Sequence, residues 1–355
     1  MQELSHLQTT PVYILSGFLG SGKTTLLGRL LSYWKNQGLK PAVIMNEIGE
    51  VNLDGLAVGP DVPMAEMLDG CICCSIRADL SVELYELIQN ERPDLVIIEA
   101  TGAANPMEIF DAVSEASLYL KLDIKPMITV VDTAYFSELY ASQKGKTYRL
   151  MMEQIRCGSV LVMNKLDRLN AKQQKEVKEL LIKLNPHAAI FEAVRCDVNL
   201  EELLTNRTVS KSPASDNQQK QHSDCGHDHP HGEHCNHPDH HHTHHSHSHV
   251  TVYTYYFKAA VNSFQFERFM KELPREVYRA KGILHFSDTS SRFLFQYAYR
   301  ESDYLKITPQ GQVPDVAVFI GEHFDQELIR AALEQLEQES TVAGAEQGER
   351  NLRQM

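Results

Sequence analysis

The sequence lacks the features of membrane, secreted and nucleic-acid-binding proteins. No apolar run in its 355 residues is long enough to span a bilayer, and the polar residues 1–10 contain no signal-peptide core. The formal net charge of −13 argues against nucleic acid as a partner. The 7 cysteines are too few and too unevenly spaced for a disulfide scaffold. We therefore expect a cytoplasmic globular protein, long enough for two domains.

What the sequence does contain, near its start, is a glycine-rich segment that fits the phosphate-loop pattern G-x-x-x-x-G-K-[ST]. An apolar run precedes it and a helical leucine pattern follows it, as the pattern requires. Glycines let backbone N–H groups surround phosphate oxygens. The lysine reaches the outer phosphates, and the hydroxyl after it binds Mg²⁺. The predicted nucleotide-binding residues are Gly17, Gly20, Ser21, Gly22, Lys23, Thr24 and Thr25. Of these, Lys23 is also predicted to be catalytic and Thr24 to bind magnesium.

A second motif, further along the chain, points to guanine. Asn164, Lys165 and Asp167 fit the N-K-x-D pattern and follow a predicted strand. The carboxylate of Asp167 can accept from the ring N–H and the exocyclic amine of guanine, a pair that adenine lacks. Asn164 is expected to face the acceptor side of guanine, and the Lys165 stem to pack on the base plane. These residues favour GTP, with a P-loop ATPase or small-molecule kinase as the alternative.

Between these motifs, an apolar strand ends at Glu99. A carboxylate in that place can hold Mg²⁺ through water or position the attacking water, so Glu99 is predicted as a catalytic and magnesium-binding residue. Gly102 is predicted to donate its backbone N–H to the γ-phosphate, which would make this loop sense that group. No stronger catalytic base stands out, and we expect slow intrinsic turnover.

Three clustered cysteines indicate a metal site. Cys71, Cys73 and Cys74 can converge in a loop, and thiolates favour soft metals such as Zn²⁺. Three cysteines leave a fourth position for another protein group, water or a receiving partner. Glu50 is a candidate for that position. The alternative is that these thiols are buried and bind no metal.

A histidine-rich tract offers further metal ligands. Residues 222–249 hold most of the chain's 17 histidines and no apolar side chain that could build a core. Neutral imidazoles suit Zn²⁺, Ni²⁺ and Co²⁺. The densest run contains His240, His241, His242, His244 and His245. The tract is therefore predicted to be disordered without metal, and an inert linker is the alternative.

The order of apolar and helical patterns predicts the fold. In residues 1–208, strands that are apolar throughout alternate with helices, which is typical of a parallel α/β sheet of the P-loop NTPase class. Residues 209–249 are predicted to be the linker that carries the histidines. A smaller α+β domain is predicted over residues 250–340, with its last helix at 326–336, followed by a polar tail at 341–355.

Taken together, these motifs resemble the CobW family of P-loop GTPases, metallochaperones that are cousins of UreG and HypB. The motifs appear in the order G-F-L-G-S-G-K-T-T, N-E-I-G-E-V-N-L-D, G-C-I-C-C, E-A-T-G-x-x-N-P and N-K-L-D. Arg279 to Gly282 and Val318 to Gly321 look like parts of the family's C-terminal domain. Two positions depart from the family pattern. Met45 stands where relatives often have an acidic residue, and Ala100 replaces a hydroxyl residue.

The resemblance implies GTP hydrolysis coupled to the handling of a transition metal. GTP, Mg²⁺ and Zn²⁺ are then the expected ligands. The expected partner is a client metalloprotein, and a homodimer is a further option. Co²⁺, Ni²⁺ or iron insertion for a cobalamin or nitrile hydratase system is an alternative. A metal store that uses the histidine tract is another.

Overall fold

The computed structural model describes residues 9–45, 62–66, 75–205, 250–298, 300–309 and 313–352, without the side chains of 66, 75–79 and 341–352. Strands and helices alternate through the N-terminal domain, as predicted. Its strands are β1 (Thr10–Ser16), β2 (Pro41–Met45), β3 (Met64–Glu66), β4 (Leu95–Glu99), β5 (Leu122–Ile124), β6 (Ile128–Asp132), β7 (Val160–Asn164) and β8 (Ala189–Glu192). Its helices are α1 (Lys23–Asn36), α2 (Ser75–Glu91), α3 (Pro106–Ala116), α4 (Thr133–Ser142), α5 (Gly145–Cys157), α6 (Ala171–Leu184) and α7 (Leu200–Thr205).

The strands of this domain form one parallel sheet in the order β3-β2-β4-β1-β6-β7-β8, with β5 beside the start of β1. Parallel strands place their carboxyl ends at one edge, and such sheets bind ligands there. The predicted phosphate loop, Glu99 and the N-K-L-D motif follow β1, β4 and β7. The topology therefore brings all three to the same edge.

Helices cover both faces of the sheet, which explains why its central strands are apolar along most of their length. Every residue of β2, β4, β6 and β7 is buried. Neighbouring residues point to opposite faces, so Ile97 packs in the cluster that contains Leu30 of α1. Ile98 packs in the cluster that contains Phe110 of α3. Each such side chain contributes about 1.5–3 kcal/mol of hydrophobic free energy.

The C-terminal domain is an antiparallel sheet with two helices on one face. Its elements are β9 (Val250–Tyr256), α8 (Ser263–Glu272), β10 (Val277–His285), β11 (Arg292–Ala298), β12 (Glu301–Ile307), β13 (Val316–Glu322) and α9 (Gln326–Leu352). The strand order is β12-β11-β10-β13-β9. Aromatic rings fill the face beneath the helices. Phe266 of α8, for example, meets Phe295 edge to face at 5.0 Å. This arrangement confirms the predicted α+β class.

The other face of this sheet packs on the N-terminal domain. Ile283 and Val318 share a core cluster with Leu118, which lies just after α3. The Tyr256 hydroxyl donates to the Leu120 carbonyl at 3.0 Å and accepts from the Leu122 N–H at 2.6 Å. The two sheets are thus joined through α3 and β5. Within the described ranges, no helix has both the length and the apolarity to cross a membrane.

Three differences from the sequence prediction have physical reasons. Helix α9 ends at Leu352 rather than 336 and so includes residues 341–352 of the predicted polar tail. Most of the residues at 337–352 are good helix formers such as Glu, Gln and Ala. The first half of β10 carries no continuous apolar pattern that would predict a strand, since its polar Arg279 and Lys281 contact the other domain. β12 was not predicted, because half-buried and exposed residues alternate along it without an apolar stripe.

Candidate nucleotide-binding site

The phosphate loop joins β1 to α1 and lies directly against the N-K-L-D segment. Gly22, the N-cap of α1, has a left-handed φ of 113°. A Cβ on Gly22 would lie 2.5 Å from Nδ2 of Asn164 and 3.0 Å from Sγ of Cys196, so a larger residue does not fit. The predicted residues 17–25 therefore form a strand–loop–helix unit that is closed on one side by protein.

The two predicted magnesium ligands meet at this edge. The Thr24 hydroxyl donates to Oε1 of Glu99 at 3.2 Å, and Glu99 is only 5% exposed. Both groups offer hard oxygen donors of the kind that Mg²⁺ prefers, and Mg²⁺ usually keeps several waters. The pair therefore fits an ion that Thr24 binds directly and that Glu99 holds through water. Lys23 is also buried, and its Nζ donates to the Phe18 carbonyl at 3.4 Å, inside the loop that it is predicted to serve.

The loop after β4 rests on the phosphate loop. A Cβ on Gly102 would lie 2.4 Å from the backbone N of Leu19, so the two backbones touch. Gln154 of α5 holds this loop from behind. Its Nε2 donates to the Gly102 carbonyl at 3.1 Å, and its side chain is buried. Sequence reasoning missed Gln154, because no motif marks it and it lies 52 residues from its partner.

Asn164 ties two loops together. Its Nδ2 donates to the Ser21 carbonyl at 2.8 Å, and its Oδ1 accepts from the Cys196 N–H at 2.8 Å. The side chain is 2% exposed. We expected this amide to face the acceptor side of guanine. The structure instead places both of its polar ends in protein contacts, between the phosphate loop and the loop after β8.

Lys165 is held at both ends. Its backbone is left-handed, with φ of 62°. Its ammonium donates to the Gly20 carbonyl at 2.6 Å and to Oδ2 of Asp132 at 2.6 Å. Asp132 ends β6 and was not among the predicted residues. A single carboxylate between a strand and a helix carries no motif that could have marked it.

An open cavity of about 550 Å³ lies beside Asp167, in the size range of small-molecule sites. Its lining residues are Arg29, Leu166, Asp167, Glu192, Ala193, Val194, Arg195 and Asp197. Arg29 of α1 pairs with Asp197 at 2.7 Å and closes one side. The loop 193–197 thus belongs to the site, although sequence reasoning had assigned it no role. Its backbone is left-handed at Arg195 and Cys196, with φ of 53° and 55°, which residue identity does not reveal.

The thiol of Cys196 contacts the backbone of the phosphate loop. It is buried, and its Sγ donates to the Gly22 carbonyl at 3.3 Å. Burial raises the pKa of Cys196 to about 11, although Arg29 and Lys165 act in the opposite direction. A thiol with that pKa carries almost no thiolate at neutral pH and is a poor nucleophile. Cys157, like Cys196, is a buried free cysteine.

The predicted zinc ligands lie outside the described residues. This applies to Cys71, Cys73, Cys74 and Glu50, and to His240, His241, His242, His244 and His245. In the described ranges, no group of three or more His, Cys, Asp and Glu residues could hold a metal. The described flanks of the cysteine segment are β3, which ends at Glu66, and α2, which starts at Ser75. In the sheet register, Met45 lies between Glu66 and Glu99 at the carboxyl edge.

Comparison with protein families gives two matches. Residues 11–192 match the nucleotide-binding domain described as CobW/HypB/UreG. Residues 250–337 match the cobalamin synthesis protein CobW C-terminal domain. The two matches correspond to the two domains of the structure.

Individual relatives cover different shares of the chain. Zinc-regulated GTPase metalloprotein activator 1 of Dictyostelium discoideum is 33% identical over 58% of this chain, which corresponds to 50% of that protein. Zinc chaperone YjiA of Escherichia coli is 27% identical over 90% of this chain and 96% of that protein. A crystal structure of Zn(II)-bound YjiA covers 93% of this chain and 99% of its own, with 21% identity and a TM-score of 0.43.

Proposed function

The chain belongs to the CobW/HypB/UreG family, whose nucleotide-binding domain it matches over residues 11–192, and from this premise we propose that it is a GTP-hydrolysing metallochaperone for zinc. In this proposal Cys71, Cys73 and Cys74 bind the zinc ion, with Glu50 as a candidate fourth ligand. The protein passes the ion to a client metalloprotein, and the nucleotide state controls zinc affinity. Relatives named zinc chaperone and zinc-regulated GTPase metalloprotein activator support zinc over cobalt, nickel or iron.

The observation that carries the proposal is the register of three strands. β3, β2 and β4 are neighbours, and their last residues Glu66, Met45 and Glu99 lie in register at the carboxyl edge. The cysteine segment leaves from β3, the segment with Glu50 leaves from β2, and the γ-phosphate loop leaves from β4. A change in the loop after Glu99 therefore occurs beside the places where both metal-binding segments begin.

The geometry also suggests how GTP is bound and cleaved. The phosphate loop and Lys23 hold the phosphates, and Asp167 at the mouth of the 550 Å³ cavity reads the guanine edge. Thr24 and Glu99 would hold Mg²⁺, which neutralises the charge that develops on the phosphates. In this role Glu99 serves the metal ion and is a weak base toward water. We therefore propose a slow intrinsic rate that rises when metal or client orders the site.

Zinc-binding measurements on two variants distinguish the proposed metallochaperone from a metal-storage protein. A chaperone that lacks residues 222–249 keeps one tight zinc equivalent, and Cys73→Ser in that background abolishes it. A store loses nearly all zinc capacity when 222–249 are removed, and that result would contradict the proposal. The matched control, Cys196→Ser, changes a buried thiol that is not among the proposed zinc ligands and should leave the tight zinc equivalent in place.

A further inference from the structure

Asp132 is a buried carboxylate at the end of β6, next to the N-K-L-D segment. It is 8% exposed, and its backbone is in register with Asn164, the last residue of β7. The next residue, Thr133, donates from its hydroxyl to the Asn164 carbonyl at 2.8 Å. The last residue of β6 and the first residue of α4 therefore hold the segment that is proposed to read guanine.

The two oxygens of Asp132 make different bonds. Oδ1 accepts from the Tyr135 N–H at 3.2 Å and caps α4. Oδ2 accepts from Nζ of Lys165 at 2.6 Å. Helix capping does not require a charge, because asparagine caps helices as well as aspartate does. The negative charge of Asp132 therefore serves Lys165.

The ammonium of Lys165 donates to two acceptors that belong to different parts of the domain. One is Oδ2 of Asp132 on β6, and the other is the Gly20 carbonyl of the phosphate loop at 2.6 Å. A four-carbon lysine stem otherwise samples many rotamers. The stem starts beside Leu166 and Asp167, which line the cavity, and ends at the phosphate loop. Its path is thus set by protein contacts at both ends.

The start of α4 also touches the phosphate loop directly. The ring of Tyr135 stacks on that of Phe18 with centroids 5.5 Å apart and planes 25° from parallel. This contact fixes the helix that Asp132 caps relative to the loop that Lys165 reaches. The Asp132 carboxylate is therefore bonded both to the start of α4 and to Lys165, and each of these contacts the phosphate loop.

We propose that Asp132 is a positioning residue for guanine recognition. Its charge holds the Lys165 stem in the orientation in which the stem packs on the base plane. The inference rests on the proposed guanine-nucleotide site and deepens it. Asp132 itself does not touch the nucleotide in this account, and its effect passes entirely through Lys165.

Asp132→Asn removes the negative charge of this side chain but keeps its shape and its ability to cap α4. We expect the Kd for GTP and for GDP to rise about tenfold, because a charge-assisted hydrogen bond becomes a neutral one. Asp132→Ser, a second capping residue without charge, should show the same loss. The matched control is Asp315→Asn, which removes the charge of the ion pair with Arg292 in the C-terminal domain. It should leave nucleotide affinity unchanged.

A double-mutant cycle separates positioning from a general structural effect. In a Lys165→Ala background, Asp132→Asn should weaken GTP binding by less than about twofold, because the group it positions is gone. An equal loss in both backgrounds would overturn the inference. So would unchanged GTP affinity in Asp132→Asn when the wild type binds GTP. A wild type that binds no GTP would instead overturn the proposed function.

Discussion

At the residue scale, the site is built from side chains that bind one another as much as from side chains that face the cavity. Asn164 joins the phosphate loop to Cys196, and Lys165 joins that loop to Asp132. These bonds join the loops of the site to one another. Preorganisation of this kind lowers the entropy cost of binding.

Asp167 carries the strongest prediction about base selectivity. Asp167→Asn should weaken GTP binding by about 10- to 100-fold, since the carboxylate that accepts two guanine N–H bonds is lost. Binding of xanthosine triphosphate should improve, because xanthine has a carbonyl where guanine has its amine and an amide can donate to it. Competition titrations with GTP, xanthosine triphosphate and ATP measure both effects. Unchanged GTP binding together with equal ATP binding would indicate a nucleotide site that does not read guanine.

Gly102 offers a test of the contact between the two phosphate-facing loops. Gly102→Ala places a methyl group 2.4 Å from the backbone N of Leu19, so one of the two loops must move. We expect the rate of GTP hydrolysis to fall by at least about tenfold, as misplacement by about 1 Å can cost a hundredfold. Steady-state phosphate release measures it.

The matched control for that variant is Gly28→Ala. Gly28 lies within α1 and has open space where a Cβ would be. Alanine there should stabilise the helix by about 0.5–1 kcal/mol and leave hydrolysis unchanged. If both variants hydrolyse GTP at the wild-type rate, the contact between Gly102 and Leu19 has no part in catalysis.

At the element scale, α3 is the link between the nucleotide edge and the C-terminal sheet. It begins at Pro106, just after the loop that contains Gly102, and its middle is clamped by β10. Arg279 pairs with Oδ2 of Asp111 at 2.5 Å, and Nζ of Lys281 donates to the Asp111 carbonyl at 3.1 Å. Burial lowers the pKa of Lys281, and Glu115 and Asp111 partly offset that effect.

Asp111→Ala should destabilise the protein by about 1–3 kcal/mol, because the half-buried Arg279 loses its ion-pair partner and the buried Lys281 loses a nearby negative charge. Urea unfolding monitored by circular dichroism measures the change. Glu176→Ala is the control, since Glu176 pairs with Lys172 on an exposed helix face. That change should cost less than about 1 kcal/mol. Equal effects of the two substitutions would show that the clamp contributes no more than a surface pair.

The elements that the sequence predicted are those with strong local patterns. The phosphate loop, N-K-L-D and the apolar strands each span a few consecutive residues, so periodicity and spacing reveal them. The contacts that Asp132, Gln154 and Cys196 make in the site were not predicted, because their partners are 33, 52 and 174 residues away. Only the order of strands in the sheet brings such residues together.

At the scale of the whole molecule, the two domains also meet at a pair of histidines. His187, which follows α6, and His323, which follows β13, have ring centroids 3.7 Å apart. Burial lowers the pKa of His323, the charge of His187 lowers it further, and Glu322 opposes both effects. A proton therefore binds His323 less readily in the folded protein than in the unfolded chain.

This shift makes stability depend on pH. As pH falls through about 6.5, the unfolded chain takes up a proton that the folded His323 resists, so stability falls. Thermal unfolding should show that the melting temperature falls less between pH 7.5 and pH 5.5 for His323→Gln than for the wild type. An equal fall in melting temperature for His323→Gln and the wild type would mean that the contact between His187 and His323 does not contribute to the pH dependence of stability.

The central claim is that the nucleotide and the metal are coupled across one edge of the sheet. The most direct test measures the affinity of the full chain for GTP, with Mg²⁺ present, in the absence and presence of one equivalent of Zn²⁺. We predict that Zn²⁺ changes the GTP affinity at least about fivefold, and that GTP changes the Zn²⁺ affinity by the same factor. Cys73→Ser should abolish the difference. Equal GTP affinities with and without Zn²⁺ would contradict the account.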